Sequence, residues 1–157
     1  MRRLIFAFLL PAIITTAADD KPLRHIVFGS CLDKVEHPML DRALALPMDL
    51  FIYMGDNIYA DTRDMAVMRA KYSALAGSRF HQGLLARALV LATWDDHDYG
   101  VNDGGADYPM RKEAQKEFHD WLGTPAGSPL RAREGVYHSR VFGPAEKSTQ
   151  VILLDTR

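Results

Sequence analysis

The sequence has little cysteine, no excess of charge of either sign, and few long hydrophobic segments. With Cys31 as its single cysteine, the chain cannot form an internal disulfide. The formal net charge of −1 gives no support to a polyanion-binding surface, so nucleic acid is not an expected partner. Beyond residue 18 no stretch is apolar enough to span a membrane. The chain has 157 residues, of which 48% are hydrophobic, and this length and composition fit one globular domain.

The first 18 residues have the pattern of a secretory signal peptide. Arg2 and Arg3 precede an apolar run over residues 4–14, and small residues follow as far as Ala18. The run is short for a bilayer span and contains Pro11, so an N-terminal anchor is the less favoured alternative. We therefore predict export to the periplasm or the outside of the cell, with cleavage after Ala18.

From residue 19 onwards, short apolar runs alternate with segments of helical periodicity. Strands are predicted over residues 25–31, 50–56, 89–94, 136–142 and 150–155. Helices are predicted over 38–46 and 64–76, with a third that ends over 84–88 and a fourth that begins at 109. Within 64–76 the spacings of three and four predict one buried helix face, formed by Met65, Met68, Tyr72 and Leu75. Continuous apolar strands between helices predict an α/β fold: a layered sheet with helices on both faces and substantial parallel pairing. In such sheets functional groups collect at the carboxyl ends of the strands. Four of the predicted strands end in polar residues that should therefore share one edge: Cys31, Asp56, Asp95–Asp98 and Asp155.

The segment GDNIYAD, residues 55–61, follows the second predicted strand. Gly55 allows a sharp turn that directs the Asp56 carboxylate outward, where it can ligate one cation or bridge two. Tyr59 lies three residues later and can reach the same position. The alternative interpretation is a simple Gly-Asp turn followed by a helix cap at Asp61 or Thr62.

The segment WDDHDYGVND, residues 94–103, follows the third predicted strand. Three carboxylates this close together (Asp95, Asp96 and Asp98) repel one another unless cations or hydrogen-bond donors compensate. An exposed acidic loop is the alternative, but such loops seldom follow a buried run directly. We therefore favour a metal site here, with His97 placed to donate a proton or to stabilise developing negative charge.

Two further residues are candidates for contact with a substrate. Asn102 lies in the loop after the acidic segment and is predicted to contact a substrate or a metal rather than only stabilise the loop. Arg157 follows the last predicted strand, at the proposed active edge. It can bind a phosphate group or form a structural salt bridge.

The side chains of Cys31, Asp56, Tyr59 and Asp96 offer a mixed set of soft and hard ligands. Thiolate and phenolate suit a transition metal such as iron, whereas carboxylates suit calcium, magnesium or manganese. Two cations about 3.5–4 Å apart would clamp a phosphate and lower the pKa of a bridging water for in-line attack. The set therefore predicts hydrolysis of phosphate esters.

Four motifs, in this order, resemble the alkaline phosphatase D (PhoD-like) family of the calcineurin-like metallophosphoesterase superfamily: FGSC, MGDNIYAD, WDDHDYGVND and VILLDTR. The resemblance runs from about residue 25 to the last residue and covers the N-terminal portion of the family's domain. It implies a metallo-dependent phosphatase-like fold, iron with calcium as cofactors, and small-molecule, lipid or nucleotide phosphate esters as substrates. It further implies roles for individual residues. Cys31, Asp56, Tyr59 and Asp96 become metal ligands, and His97 becomes the catalytic histidine.

Members of this family continue beyond the LDTR strand, and their later segment supplies further histidine and aspartate ligands. We therefore expect residues 19–157 to form the N-terminal part of a metallophosphoesterase domain, with an incomplete metal shell. The alternative function is a truncated, non-catalytic domain that binds a metal or a partner. A carbohydrate-active enzyme with paired carboxylates is the least favoured interpretation, because it leaves Cys31 and Tyr59 unused.

Overall fold

The structure, a computed structural model, describes residues 21–157, so the predicted signal peptide and its cleavage site lie outside the described residues. Strands and helices alternate along most of this part of the chain. In order they are β1 (Ile26–Gly29), α1 (Pro38–Ala45), β2 (Leu50–Met54), α2 (Met65–Gly77), α3 (Arg79–Leu85), β3 (Leu89–Thr93), α4 (Asp96–Tyr99), α5 (Arg111–Trp121), β4 (His138–Phe142) and β5 (Thr149–Leu153). Over residues 21–157, no helix has the length and apolar character that a membrane span requires.

The first three strands form a parallel sheet with β2 in the centre. Ile26 of β1 lies opposite Leu50 of β2, and Leu50 in turn lies opposite Leu89 of β3. Helices connect these strands, as parallel pairing requires. Because all three strands run in one direction, the segments that follow their carboxyl ends lie at one edge of the sheet. The predicted parallel pairing is confirmed.

One face of this sheet packs against the helices. Side chains alternate along β2, so Phe51 and Tyr53 point to the same face. They share a hydrophobic core with buried residues of three helices: Met68, Tyr72 and Leu75 of α2, Phe80 and Leu84 of α3, and Ala114 and Phe118 of α5. The periodicity of the α2 sequence predicted this buried helix face.

The other face of the sheet packs against the β4–β5 hairpin. Leu50, Ile52 and Leu91 form a second core with Phe142 and Leu153. In the described part of the chain no helix contributes a buried residue to this core, so the prediction of helices on both faces is wrong here. The physical reason is the short connection over residues 143–148, which permits an antiparallel hairpin but not a parallel crossover.

The end of β5 meets the end of β3 at the same edge. Thr93 Oγ1 donates a hydrogen bond to the Leu154 carbonyl at 2.8 Å. The Asp155 carboxylate accepts from Trp94 Nε1 at 2.7 Å and from the Val136 amide at 2.8 Å. Asp155 is thus a structural tie between the hairpin and the parallel sheet, and it brings the last residues of the chain to the predicted active edge.

Candidate metal centre

The loops after β2 and β3 approach closely at Gly55. This glycine has φ +101°, and a Cβ atom at its position would lie 2.6 Å from Asp95 Cβ. Asp56, the next residue, also has a positive φ, of 49°. The sharp turn predicted from the Gly-Asp pair is therefore present, and it holds the Asp56 carboxylate at the sheet edge.

A buried carboxylate, Asp98, holds the two loops together. It accepts hydrogen bonds from the amides of Asp56 at 3.2 Å, Asn57 at 3.1 Å and Asp95 at 2.7 Å, and a further one from the Asn57 side chain. Burial raises the pKa of Asp98 to about 8, although these N–H groups act in the opposite direction. Asp98 thus positions the residues on either side of the centre. The sequence indicated its place in the acidic segment but not this role.

The carboxylate of Asp56 lies at the middle of the candidate centre. Its Oδ2 is 3.6 Å from the sulfur of Cys31 and 3.5 Å from the hydroxyl of Tyr59. Its Oδ1 is buried and has no hydrogen-bond partner among residues 21–157. Ligand atoms of Asp56, Asp96 and His97 all lie within 4.8 Å of one another. The structure therefore brings together the five residues predicted as metal ligands and catalytic histidine.

Asp96 is oriented by the loop that follows α4. The Asp103 amide donates to its Oδ2 at 2.6 Å, and the guanidinium of Arg157 lies 4.0 Å from its Oδ1. Partial burial raises the pKa of Asp96, but the amide donors and the charges of His97 and Arg157 outweigh it, so the pKa is lowered overall. Asp96 is therefore held as a carboxylate with one oxygen directed to a backbone donor.

His97 is fixed by the carboxylate of Asp61, which no sequence motif connects with a histidine. Its Nδ1 lies 2.7 Å from Asp61 Oδ1, which also accepts from the Asn102 amide at 2.9 Å. Desolvation lowers the pKa of His97, but the hydrogen bond and charge of Asp61 and the nearby carboxylates raise it more. The Tyr59 ring lies against the imidazole, with the ring centroids 4.2 Å apart. These contacts leave Nε2 as the ring nitrogen available to a ligand.

The alternative interpretation of Asp61 or Thr62 as a helix cap is wrong. Asp64 caps α2, because its side chain accepts from the Ala66 amide at 2.8 Å. Asp61 instead turns back towards His97 with a φ of 46°. The only sequence signal for this role is the acidic residue that closes the GDNIYAD segment, since no spacing rule connects it with a histidine in another loop.

The two predicted substrate contacts lie at the rim. Arg157 forms an ion pair with Asp95, with Nε 2.6 Å from Oδ1, so the salt bridge foreseen as an alternative is present. The side chain of Asn102 is exposed and donates to Asp103 at 2.7 Å. Contact of either residue with a substrate stays a prediction.

The donor set fits a cation. Asp56 Oδ1 is a buried acceptor without a partner, and a metal ion would supply one. Burial raises the pKa of Tyr59, and the charges of Asp56 and Cys31 raise it further, so the phenol keeps its proton unless a cation offsets those charges. Carboxylate, phenol, thiol and imidazole side chains at one edge of the sheet therefore form a donor set that can hold a metal ion.

These features define a mixed α/β protein with a small parallel sheet and a candidate metal centre at its carboxyl edge. No family model matches the chain, and no curated protein matches it. A solved structure of PhoD is similar to it, with a TM-score of 0.66 over 89% of this chain and 16% sequence identity. The match covers 32% of that chain, so this protein spans about a third of its length. At this identity the similarity shows the fold.

Proposed function

We propose that this protein hydrolyses phosphate esters, as a phosphatase or phosphodiesterase, with the help of bound metal ions. The observation that carries the proposal is the convergence of Cys31, Tyr59, Asp96 and His97 on the carboxylate of Asp56. The resemblance of the motifs to the alkaline phosphatase D family supports it. The similarity of the fold to PhoD supports it independently of those motifs.

In this proposal Cys31, Asp56, Tyr59 and Asp96 hold the metal ions, iron with calcium. When bound, such ions would supply Lewis-acid polarisation of the phosphoryl group and would lower the pKa of a bound water. Asp56 would be the central ligand, because its Oδ1 is buried without a partner and its Oδ2 faces both Cys31 and Tyr59.

In this proposal His97 donates a proton or stabilises the negative charge that develops during hydrolysis. Asp61 holds its Nδ1, so a proton at Nε2 can be offered to the leaving-group oxygen. The charges of Asp61, Asp56 and Asp96 raise the pKa of His97 and favour the protonated form that this step requires. Arg157 and Asn102 are proposed to contact the phosphate ester at the rim.

Hydrolysis of p-nitrophenyl phosphate and of its diester, bis(p-nitrophenyl) phosphate, tests the proposal. With iron and calcium supplied, the Asp56→Asn and His97→Ala variants are expected to lose about 100-fold or more in kcat/KM. The control is Asp41→Asn, which removes a carboxylate that is 59% exposed on α1. Hydrolysis retained in both site variants would contradict the assigned roles.

A second candidate function is a metal- or partner-binding domain without turnover. The observation that favours it is the group of possible ligand atoms of Asp56, Asp96 and His97, which lie within 4.8 Å of one another and suffice to hold an ion without implying turnover. Metal analysis of the purified chain, run beside the same assay, separates the two functions. Stoichiometric metal without hydrolysis by the wild-type chain favours the second, whereas metal with hydrolysis favours the first. Export to the periplasm or beyond stays part of the proposal in both cases.

A further inference from the structure

An apolar cavity lies on the helical side of the parallel sheet, beneath α1. It has a volume of about 170 Å³ and is walled mainly by carbon atoms. Leu40 and Ala43 of α1 form one side, and Phe51 and Phe80 form another. We refer to it as the apolar pocket. It differs from the metal centre in character, because no charged side chain lines it.

Asn57 gives this apolar pocket a polar feature. The residue is 1% exposed, and its Nδ2 donates to the Thr93 carbonyl at 2.8 Å and to the Asp98 carboxylate. Its Oδ1 is buried and accepts no hydrogen bond from any residue that the structure describes. A buried acceptor without a partner is unfavourable, and a ligand that offers a donor relieves that cost.

The apolar pocket is large enough for one six-membered ring, and a ligand can reach it from solvent. An apolar cavity of roughly 150 Å³ accommodates benzene in other proteins. Met39 of α1, one of the residues that line it, is a large apolar side chain that is 67% exposed. Ser30 and Leu32, also in the wall, flank the predicted metal ligand Cys31, so the apolar pocket adjoins the loop that carries it.

From the size, the apolar walls and the unpartnered acceptor, we infer that the apolar pocket binds a small apolar alcohol or a phenol. The ring or alkyl group fills the space between α1 and the sheet, and the hydroxyl donates to Asn57 Oδ1. The inference concerns a binding site and holds whether or not the metal centre hydrolyses phosphate esters.

Comparing phenol with anisole tests the hydrogen bond, because anisole has the same ring but no donor. Binding to the full chain is measured from shifts in amide resonances along α1 and β2 during titration with each compound. Phenol is expected to bind about fivefold or more tightly than anisole. Equal affinity for the two compounds, or no binding of phenol, would overturn the inference.

A cavity-filling substitution tests the location. Ala43→Phe places a ring inside the apolar pocket and is expected to abolish phenol binding. Its matched control is Ala70→Phe, an exposed position on α2 outside the pocket, which is expected to bind phenol as the wild type does. If circular dichroism shows that Ala43→Phe does not fold, the smaller Ala43→Leu replaces it and is expected to weaken binding. Phenol binding that is unchanged in the folded pocket variant would also overturn the inference.

Discussion

At the scale of single residues, backbone strain concentrates around the candidate metal centre. The non-glycine residues with positive φ in the described part of the chain are Cys31, Asp56, Asp61 and Asp103, with φ between 46° and 59°. Such a conformation costs about 1–2 kcal/mol for a residue with a side chain, somewhat less for aspartate. It persists only where the surroundings fix it, and it is typical of functional sites. All four residues either contact the centre or position a residue that does.

Asp61 is expected to control the protonation of His97. Because its hydrogen bond and charge raise the pKa of His97, an Asp61→Asn substitution should lower that pKa. The substitution should also reduce kcat by about tenfold. Metal content should not change, because Asp61 contacts His97 and is not one of the predicted metal ligands. An NMR titration of the His97 ring nitrogens measures the pKa directly. The control is Asp107→Asn, an exposed loop residue, and an unaltered His97 titration in Asp61→Asn would contradict this role.

Gly55 is expected to tolerate no side chain. An alanine Cβ would meet Asp95 Cβ at 2.6 Å at a φ of +101°, so Gly55→Ala should destabilise the fold by about 2 kcal/mol or more. The matched control is Gly77→Ala on α2, where nothing lies within 4 Å of the added atom and the change is neutral or stabilising by up to about 1 kcal/mol. Urea unfolding measures both variants. Equal stability of the two variants would show that the loops do not approach as described.

At the scale of elements, a carboxylate ties the start of β1 to the start of β2. Asp49 Oδ2 accepts from the amides of Arg24 at 2.9 Å and His25 at 3.0 Å, and its Oδ1 pairs with Lys21 at 3.0 Å. The Arg24 amide contributes most to lowering the pKa of Asp49, followed by Lys21 and the His25 amide, so the pKa falls to about 2. The contact sets where the first strand begins against the central one.

The lowered pKa of Asp49 predicts a pH dependence of stability. A carboxylate whose folded-state pKa is depressed stabilises the fold above its unfolded value of 3.8, and the contribution is lost as the pH falls towards about 2. Asp49→Asn removes the titration but keeps the shape. We expect the wild type to be more stable than this variant at pH 6, with the difference shrinking between about pH 4 and pH 2. A difference that stays constant over this range would contradict the assignment.

Periodicity predicted the elements, whereas contacts between elements needed the structure. The spacing of Met68, Tyr72 and Leu75 identified the buried face of α2, because that face depends only on the helical repeat. The sequence predicted β4 and β5 as strands. It did not predict that they pair with each other and cover one face of the parallel sheet, because a short apolar run does not reveal which strand it pairs with. Asp61 was missed for the same reason, since its partner lies in another loop.

At the scale of the whole molecule, the parallel sheet lies between unlike layers, with helices on one face and the hairpin on the other. The hairpin covers β2 and β3, and its end carries Asp155 and Arg157 to the candidate metal centre. On the same sheet face, Phe28 of β1 and Met54 of β2 stay 65% and 50% exposed. The second layer therefore serves both to bury part of the sheet and to complete the rim of the site.

Phe142 is expected to anchor the hairpin layer. Its ring is fully buried against the second core, so Phe142→Ala should reduce the free energy of unfolding by about 3–5 kcal/mol. The neighbouring Val141 points the other way and is 37% exposed, so Val141→Ala should cost less than about 1 kcal/mol. Thermal unfolding of the two variants compares them. Similar losses in both would mean that the hairpin does not cover the sheet through Phe142.

The central claim is that residues far apart in the chain bind the same metal ions. Metal affinity, measured by equilibrium dialysis against iron and calcium, tests it most directly in the wild type, Cys31→Ser, Asp56→Asn and the control Asp41→Asn. We predict that the wild type and the control bind equally, and that each site substitution weakens binding of the same ion by about tenfold or more, equivalent to about 1.4 kcal/mol. Unchanged affinity in both site variants, or loss of different ions in each, would contradict a shared centre.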